Sequence, residues 1–144
     1  MESNYTWLFW AFLSAIFAAL TTIFAKVGVQ SIDSDLATLI RTGIVFLVLT
    51  ALILASNKLT GITSISKNTW LFLSLSALGT GASWICFYRA LKIGDSSKVL
   101  VVDKFSVVLV MILATIFLGE KSTIKDWFGI LMVTGGMVLM TVKI

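Results

Sequence analysis

Residues 5–25 read YTWLFWAFLSAIFAALTTIFA, a run of twenty-one uncharged residues that ends at Lys26. A bilayer core about 30 Å thick is crossed by roughly 20 apolar residues in an α-helix. A signal peptide would place basic residues before a shorter apolar core, whereas this run follows Met1 and Glu2. We therefore expect the run to be retained as a membrane-spanning helix.

Four further apolar runs of similar length follow, and the segments between them are short and polar. Thr123, followed three residues later by Asp126, is typical of a capping box at the start of the last run. The sequence thus predicts an all-α integral membrane protein that forms one five-helix domain over residues 1–144. The predicted transmembrane helices cover about residues 5–29, 35–56, 68–91, 96–118 and 124–143.

The composition supports the membrane class and excludes several others. The chain is 58% hydrophobic and 12% charged, with a mean hydropathy of +1.03, whereas a soluble domain carries about 25% charged residues. It has no histidine and one cysteine, Cys86, which argues against a metal site, histidine-based catalysis and an internal disulfide. We expect a multi-pass protein of the cell membrane, surrounded by lipid, with no cofactor, no metal, no nucleic-acid partner and no enzymatic activity.

Ionisable groups lie at or inside four predicted spans toward one membrane face. Such groups are costly in lipid, and they usually face a partner or a wet cavity. Two interpretations remain open: snorkelling and structural ion pairs, or a cationic vestibule that receives an anionic or zwitterionic solute. Asp103 is the only acid placed well inside a span, and we expect it to be ionised and paired with Arg89, Arg41 or Lys104. The candidate cavity residues are Lys26, Arg41, Trp84, Tyr88, Asp103 and Lys104, and the candidate structural or ion-pair residues are Arg89 and Glu120.

Small residues and basic residues bear on assembly. Small residues recur in the first and third predicted spans, where we expect contacts within the chain. In the last span, Gly129, Gly135 and Gly136 are candidates for a dimer interface, because close backbone approach drives helix association in lipid. Basic residues near the span ends number four on one face and five on the other, so the positive-inside rule leaves two interpretations open. The chain has one fixed orientation, or it inserts both ways and opposed copies pair.

Several motifs are recognisable in the second half of the chain. Residues 87–94 read FYRALKIG, residues 102–108 read VDKFSVV, and residues 117–121 read FLGEK, followed by Trp127, Gly129 and the Gly135-Gly136 pair. These segments resemble the EamA family of the drug/metabolite transporter superfamily, and the resemblance is most specific from about residue 70 to residue 142. Most members of that family have ten helices in two inverted five-helix repeats, and this chain resembles one repeat.

The resemblance implies a secondary transporter, or half of one, that moves a small metabolite or drug-like solute by alternating access. A complete transporter would then need a second copy, as an antiparallel homodimer, or a second five-helix chain. The alternative is a non-transporting membrane assembly, or a lipid-headgroup-translocating subunit of a hetero-oligomer. Small multidrug resistance proteins, distant relatives, carry a glutamate in the first helix eight residues before a lysine. The matching position here is Ala18, which argues against proton-coupled export of lipophilic cations by their mechanism.

Overall fold

The computed structural model describes residues 6–142, apart from the side chains of residues 60 and 63. Its elements are α1 (Thr6–Val29), α2 (Ser34–Ala55), a 3-10 helix (Lys58–Ser64), α3 (Lys67–Ile93), α4 (Ser96–Asp103), α5 (Ser106–Leu113), a π-helical turn (Ala114–Leu118) and α6 (Ile124–Thr141). No strand occurs between residues 6 and 142. The predicted helix ends at residues 5 and 143 lie outside the described residues.

Five helical segments of this chain are long and apolar enough to cross a membrane. They are α1, α2, α3, the fourth span Ser96–Leu118, and α6. At most 11% of the residues in the apolar window of any of them is buried within the chain, so their apolar side chains face outward. Outward-facing apolar surface of this extent requires lipid or another protein around it. The predicted all-α membrane fold with five spans is confirmed.

The chain divides into two compact units, Met1–Ile93 and Gly94–Ile144. In the first unit, α1, α2 and α3 pack together where α1 ends, α2 begins and α3 ends. Small side chains fill the α1 and α2 parts of this contact, which lets the larger Tyr88 and Leu91 of α3 pack there. The buried side chains of this end, which we call the packed end, are Thr22, Ala25, Val29, Ser34, Ala37, Thr38, Tyr88 and Leu91.

Polar interactions hold the packed end together. The Arg89 guanidinium donates to Asp35 in a two-pronged arrangement, with Nε 2.9 Å from Oδ1 and Nη2 2.5 Å from Oδ2. Lys92 donates from Nζ to the carbonyl of Ile32 at 2.6 Å, in the turn between α1 and α2. Since α3 has 27 residues, about 40 Å of helix, it extends beyond the hydrocarbon core and can carry these charges at the interface.

Helix caps explain where α2 and α6 begin. Asp33 has extended backbone geometry and its carboxylate accepts from the amides of Asp35 and Leu36, at 2.9 and 3.2 Å. The helix therefore begins at Ser34, one residue before the predicted start. At α6, the Thr123 amide donates to the Asp126 carboxylate at 2.8 Å, and the Asp126 amide donates to the Thr123 hydroxyl at 3.4 Å. The predicted capping box is confirmed.

The fourth span is irregular at two places, which the apolar pattern did not predict. The amides of Phe105, Val107 and Val108 donate to carbonyls three residues back, so a 3-10 turn separates α4 from α5. The span then widens into the π-helical turn and ends at Gly119, with φ of +67°. The amide of Glu120 donates to the carbonyl of Ala114 at 3.3 Å across this end. A left-handed residue at a helix end is most often glycine.

Threonine hydroxyls inside the spans bond to their own helices. Thr22 and Thr38 donate to the carbonyls of Ala18 and Ser34, each at 2.9 Å. The same bond to the carbonyl four residues back is made by Thr42, Thr50, Thr80, Thr115, Thr134 and Thr141. Because hydrocarbon offers no partner, a hydroxyl in a span must be satisfied by the protein. These bonds let the chain carry threonine in its spans without a partner helix.

Gly119→Ala tests the left-handed helix end. An added Cβ meets no atom within 4 Å, so the cost is that of the backbone conformation, about 1–2 kcal/mol. We expect this loss in the free energy of unfolding, measured by denaturant titration in detergent. Gly43→Ala is the matched control: Gly43 is helical and equally open, so alanine there should be neutral or stabilising. Equal losses for both variants would contradict the assignment.

A double-mutant cycle tests the Arg89–Asp35 pair. Asp35→Asn, Arg89→Gln and the double variant should show a favourable coupling in the free energy of unfolding, because both prongs are lost together. Both side chains are largely exposed, at 62% and 47%, so the coupling should shrink as salt is raised. The control cycle uses Asp95→Asn and Lys98→Gln, a looser pair at 3.6 Å within one helix turn. A coupling no larger than that of the control would argue against a clamp between α2 and α3.

Candidate functional site

Arg41 of α2 and two aromatic residues of α3 form the core of the candidate site. The guanidinium carbon of Arg41 lies 4.1 Å from the centre of the Trp84 ring and 5.9 Å from that of Tyr88. Trp84 and Tyr88 are four residues apart and therefore share one face of α3. Arg41 lies seven residues after the start of α2, about 10 Å along the helix axis. A cation is thus held over two rings inside a membrane span.

Arg41 has no acidic partner in the part of the chain that the structure describes. None of the ion pairs among residues 6–142 includes it, and none of their hydrogen bonds does. A ring face attracts a cation by about 0.5–2 kcal/mol, and most strongly where water is excluded. The rings hold the guanidinium in place, yet they leave its N–H groups without an acceptor among these residues.

A pocket of about 370 Å³ lies between α1 and α2 and includes Arg41. Its lining is apolar except for Arg41, the Tyr88 hydroxyl and Thr21. No acidic residue is among the lining residues, which are Thr21, Phe24, Ala25, Gly28, Val29, Ile32, Ala37, Ile40, Arg41, Ile44, Val45 and Tyr88. Phe24 and Ile44 are 70% and 57% exposed, so one wall of the pocket faces the surroundings of the chain. The arrangement is able to hold an apolar group beside a cation.

The other predicted cations of this end are engaged elsewhere. Lys26 donates from Nζ to the carbonyl of Leu91 at 2.6 Å, near the end of α3. Arg89 was one of three expected partners of Asp103, and it binds Asp35 instead. A pair separated by 54 residues leaves no local signal in a sequence, and Asp35 was missed for that reason. Of the cations predicted toward this membrane face in the first three spans, Arg41 is the one that the structure places in the pocket.

Asp103 and Lys104 lie in the second unit, at the 3-10 turn of the fourth span. Their charged groups are 3.7 Å apart, and the side chains are 36% and 51% exposed. An ion pair between sequence neighbours with this exposure contributes little to stability. Of the three expected partners of Asp103, the structure therefore shows Lys104, at an irregular point of the helix.

Glu120 lines a second pocket, of about 340 Å³, in the second unit. Lys121, Ser122 and Asp126 share its lining with apolar residues of α5 and α6. The hydroxyl of Ser122 lies 3.0 Å from that of Thr115, and the two form a hydrogen bond. Glu120 is exposed, and the bond that the structure shows for it is that of its backbone amide. Its candidate role as a structural residue stays a prediction.

Small residues in the spans have open space around them. A Cβ added at Gly129, Gly135 or Gly136 of α6 would meet no atom within 4 Å. The same holds for Gly79 and Gly81 of α3, so within the first unit these two glycines do not make the close contacts that were expected of the third span. Within the second unit, the glycine surface of α6 is open.

The residues that the sequence analysis missed are mostly apolar. Phe24, Gly28, Ile40 and Ile44 line the pocket, but their spacing of about one turn is equally typical of any helix that faces lipid. The four-residue step from Trp84 to Tyr88 was the signal available for the rings. No group of three or more potential metal ligands occurs among the described residues.

Comparison with known proteins extends the resemblance over nearly the whole chain. The EamA-like transporter family matches residues 5–142. The chain is 49% identical over 137 residues to the uncharacterized transporter in cobO 3'region of Sinorhizobium sp, and this match covers 95% of the chain and 97% of that protein. No solved structure matches the chain.

Two further relatives are more distant. The uncharacterized transporter YxxF of Bacillus subtilis (strain 168) is 24% identical over 137 residues, which cover 94% of this chain and 42% of that protein. The probable 4-amino-4-deoxy-L-arabinose-phosphoundecaprenol flippase subunit ArnE of Yersinia pestis (strain Pestoides F) is 32% identical over 73 residues, which cover 50% of this chain and 61% of that protein. The five spans, the motifs of residues 87–121 and a family match over residues 5–142 agree, and the chain belongs to the EamA-like transporter family.

Proposed function

We propose that this protein is a half-transporter that pairs with a second copy and moves a small metabolite or drug-like solute across the cell membrane by alternating access. The observation that carries the proposal is the pocket between α1 and α2. It holds Arg41 within a span, and one of its walls is exposed. A site of this kind, built on one repeat, is suited to completion by a second repeat.

The lengths of the relatives support a role as one half. The chain spans 97% of one relative and 42% of another that is named as a transporter. The longer relative therefore has more than twice the matched length, which suits a protein with two repeats. In the proposed assembly, both units of this chain act as one five-helix domain, and two such domains form the transporter.

An antiparallel pair follows from the charge balance and from the resemblance to inverted repeats. Four basic residues near the span ends against five give little preference for either orientation. The α1–α2 pocket lies toward one end of its spans, so two opposed copies would offer one pocket to each side. Exchange of two identical halves gives the inward-open and outward-open states the same energy by symmetry. A parallel pair would place both pockets on one side.

The open glycine surface of α6 is the proposed contact between copies. Gly129, Gly135 and Gly136 present backbone that another helix can approach closely. The proposed partners are therefore a second copy of this chain and membrane lipids, together with the transported solute. Because the members of this family are transporters, we propose no enzymatic activity for the chain.

A second candidate function is that of a subunit in a hetero-oligomer that moves a lipid headgroup. The observation that favours it is the match to a relative named as a flippase subunit. The exposed wall of the pocket also suits a ligand that stays partly in lipid. A neighbouring gene for a related five-helix chain, and co-purification of its product, would support this candidate.

Orientation can be tested with reporters fused after Ile144 and expressed at native level. Opposed insertion predicts signals on both sides of the membrane, because copies of opposite orientation place the same C-terminus on opposite faces. Three lysines inserted within residues 57–67 should lock one orientation and abolish solute uptake into proteoliposomes. Co-expression of an oppositely biased variant should restore uptake, and three inserted glutamines are the matched control. A one-sided signal together with full uptake after locking would contradict the antiparallel pair.

Gly136→Leu tests the proposed interface. Leucine at this position meets no atom of its own chain within 4 Å of Cβ, so the monomer should fold as before while the close approach of a second helix is blocked. We expect a lower dimer fraction in crosslinking and in light scattering after size exclusion. Gly43→Leu has equally open surroundings on α2 and should keep the dimer. Equal dimer fractions for the two variants would exclude α6 as the interface.

A further inference from the structure

We propose that the α1–α2 pocket binds an organic anion that has an apolar body, and that Arg41 is the ligand for its anionic group. The inference rests on the proposed function, for which it names the class of solute. Carboxylates and phosphate monoesters attached to an apolar group are the chemistry in question. Three features of the pocket support this class of ligand: the sign of its charge, the polarity of its walls and the unused N–H donors of Arg41.

The sign of the charge excludes cations. Arg41 is a fixed positive charge, since a guanidinium keeps its proton in proteins. No acidic residue lines the pocket, and Arg41 has no carboxylate partner among residues 6–142. A cationic solute would meet repulsion from Arg41 with no opposing charge, and that repulsion is strong where the dielectric constant is low.

The walls of the pocket exclude a bare inorganic anion. Besides Arg41, only Thr21 and Tyr88 supply polar side-chain groups. A free phosphate ion has several strongly hydrated oxygens, and three protein groups cannot replace that hydration. An anion with an apolar body recovers free energy by burying that body against residues such as Phe24 and Ile40. The pocket is therefore matched to a ligand with one anionic end.

The position of Arg41 prepares it for this ligand. The guanidinium carbon lies 4.1 Å from the centre of the Trp84 ring and 5.9 Å from that of the Tyr88 ring. A ring attracts the cation through its charge, and the N–H donors of Arg41 make no hydrogen bond among residues 6–142. A carboxylate or phosphate can accept two parallel bonds from a guanidinium, and such charge-assisted bonds are stronger than neutral ones. The rings thus hold the cation while its donors stay available.

Two sources offer this chemistry. A water-soluble anion would reach the pocket from the face at which α1 ends. A lipid with an anionic headgroup would enter through the wall at Phe24 and Ile44, with its chains left in the bilayer. The head and the apolar body are the same in both cases, so the experiment below separates the sources.

Equilibrium binding to the full-length protein in phosphatidylcholine nanodiscs tests the inference. Titration calorimetry with hexyl phosphate should show saturable binding, whereas inorganic phosphate and hexyltrimethylammonium should not bind. Arg41→Gln should weaken binding of hexyl phosphate by about tenfold to a hundredfold, the range expected for a lost charge-assisted contact. Arg41→Lys keeps the charge but loses the two parallel donors, so it should bind hexyl phosphate more weakly than the unaltered protein and more tightly than Arg41→Gln. This variant covers the case in which Arg41→Gln does not fold.

Lys98→Gln is the matched control, since Lys98 belongs to α4 and is not one of the residues that line the pocket. This variant should bind as the unaltered protein does. Phosphatidic acid added to the nanodiscs should compete with hexyl phosphate if the natural ligand is a lipid, and should not compete if it is soluble. Either result supports the shared chemistry. Binding of the ammonium probe, equal binding by Arg41→Gln, or no binding because a second copy fills the pocket would overturn the inference.

The binding measurement is independent of transport. Hexyl phosphate binding without uptake of any solute into proteoliposomes would leave this inference standing and remove the proposed function. Uptake of other solutes without hexyl phosphate binding would remove this inference and keep the proposed function.

Discussion

Hydrocarbon offers no hydrogen-bond partner and no shielding for charge, and this constraint shapes each part of the chain. The backbone forms five helical spans, in which the amides and carbonyls of each segment bond to each other. Threonine hydroxyls in the spans donate to the carbonyl four residues back, as Thr22 and Thr38 do. At the span ends, Lys26 and Lys92 donate to the carbonyls of Leu91 and Ile32.

The same constraint explains why Arg41 is the distinctive residue of the first unit. Lys26, Arg89 and Lys92 each donate to an oxygen acceptor of the chain where the helices meet. Their positive charges are therefore partly compensated within the protein. Arg41 lies deeper and has ring faces in place of an oxygen. Ring faces offset part of the cost of a cation in lipid, but they do not replace the hydrogen bonds of its donors. The N–H donors of Arg41 can therefore still bond to oxygen atoms of a ligand, which is the basis of the proposed anion site.

The sequence predicts the spans well because length and hydropathy decide them. The predicted end at residue 118 is also the end of the fourth span in the structure, and the capping box at Thr123 was readable as a local pattern. The 3-10 and π-helical turns of the fourth span were not predicted, since the span has no proline to mark them. Partners far apart in sequence were also beyond reach, as Asp35 and Arg89 show. Trp84 and Tyr88 were identified as candidates from their place in α3, but their stacking with Arg41 depends on how α2 and α3 pack.

The sign of one charge separates this chain from the small multidrug resistance proteins, which its sequence distantly resembles. Those proteins hold a glutamate in the first helix, and a buried carboxylate suits a cationic solute and a proton. Here that position is Ala18, and the ionisable group of the pocket is Arg41 on the second helix. An arginine does not release its proton, so Arg41 itself cannot exchange a proton for the ligand. If the ligand is the proposed organic anion, binding itself neutralises the guanidinium, and the loaded pocket is less costly to carry through the low-dielectric part of the cycle than the unloaded one. Coupling would then favour exchange of one anion for another over movement of a half that carries no ligand.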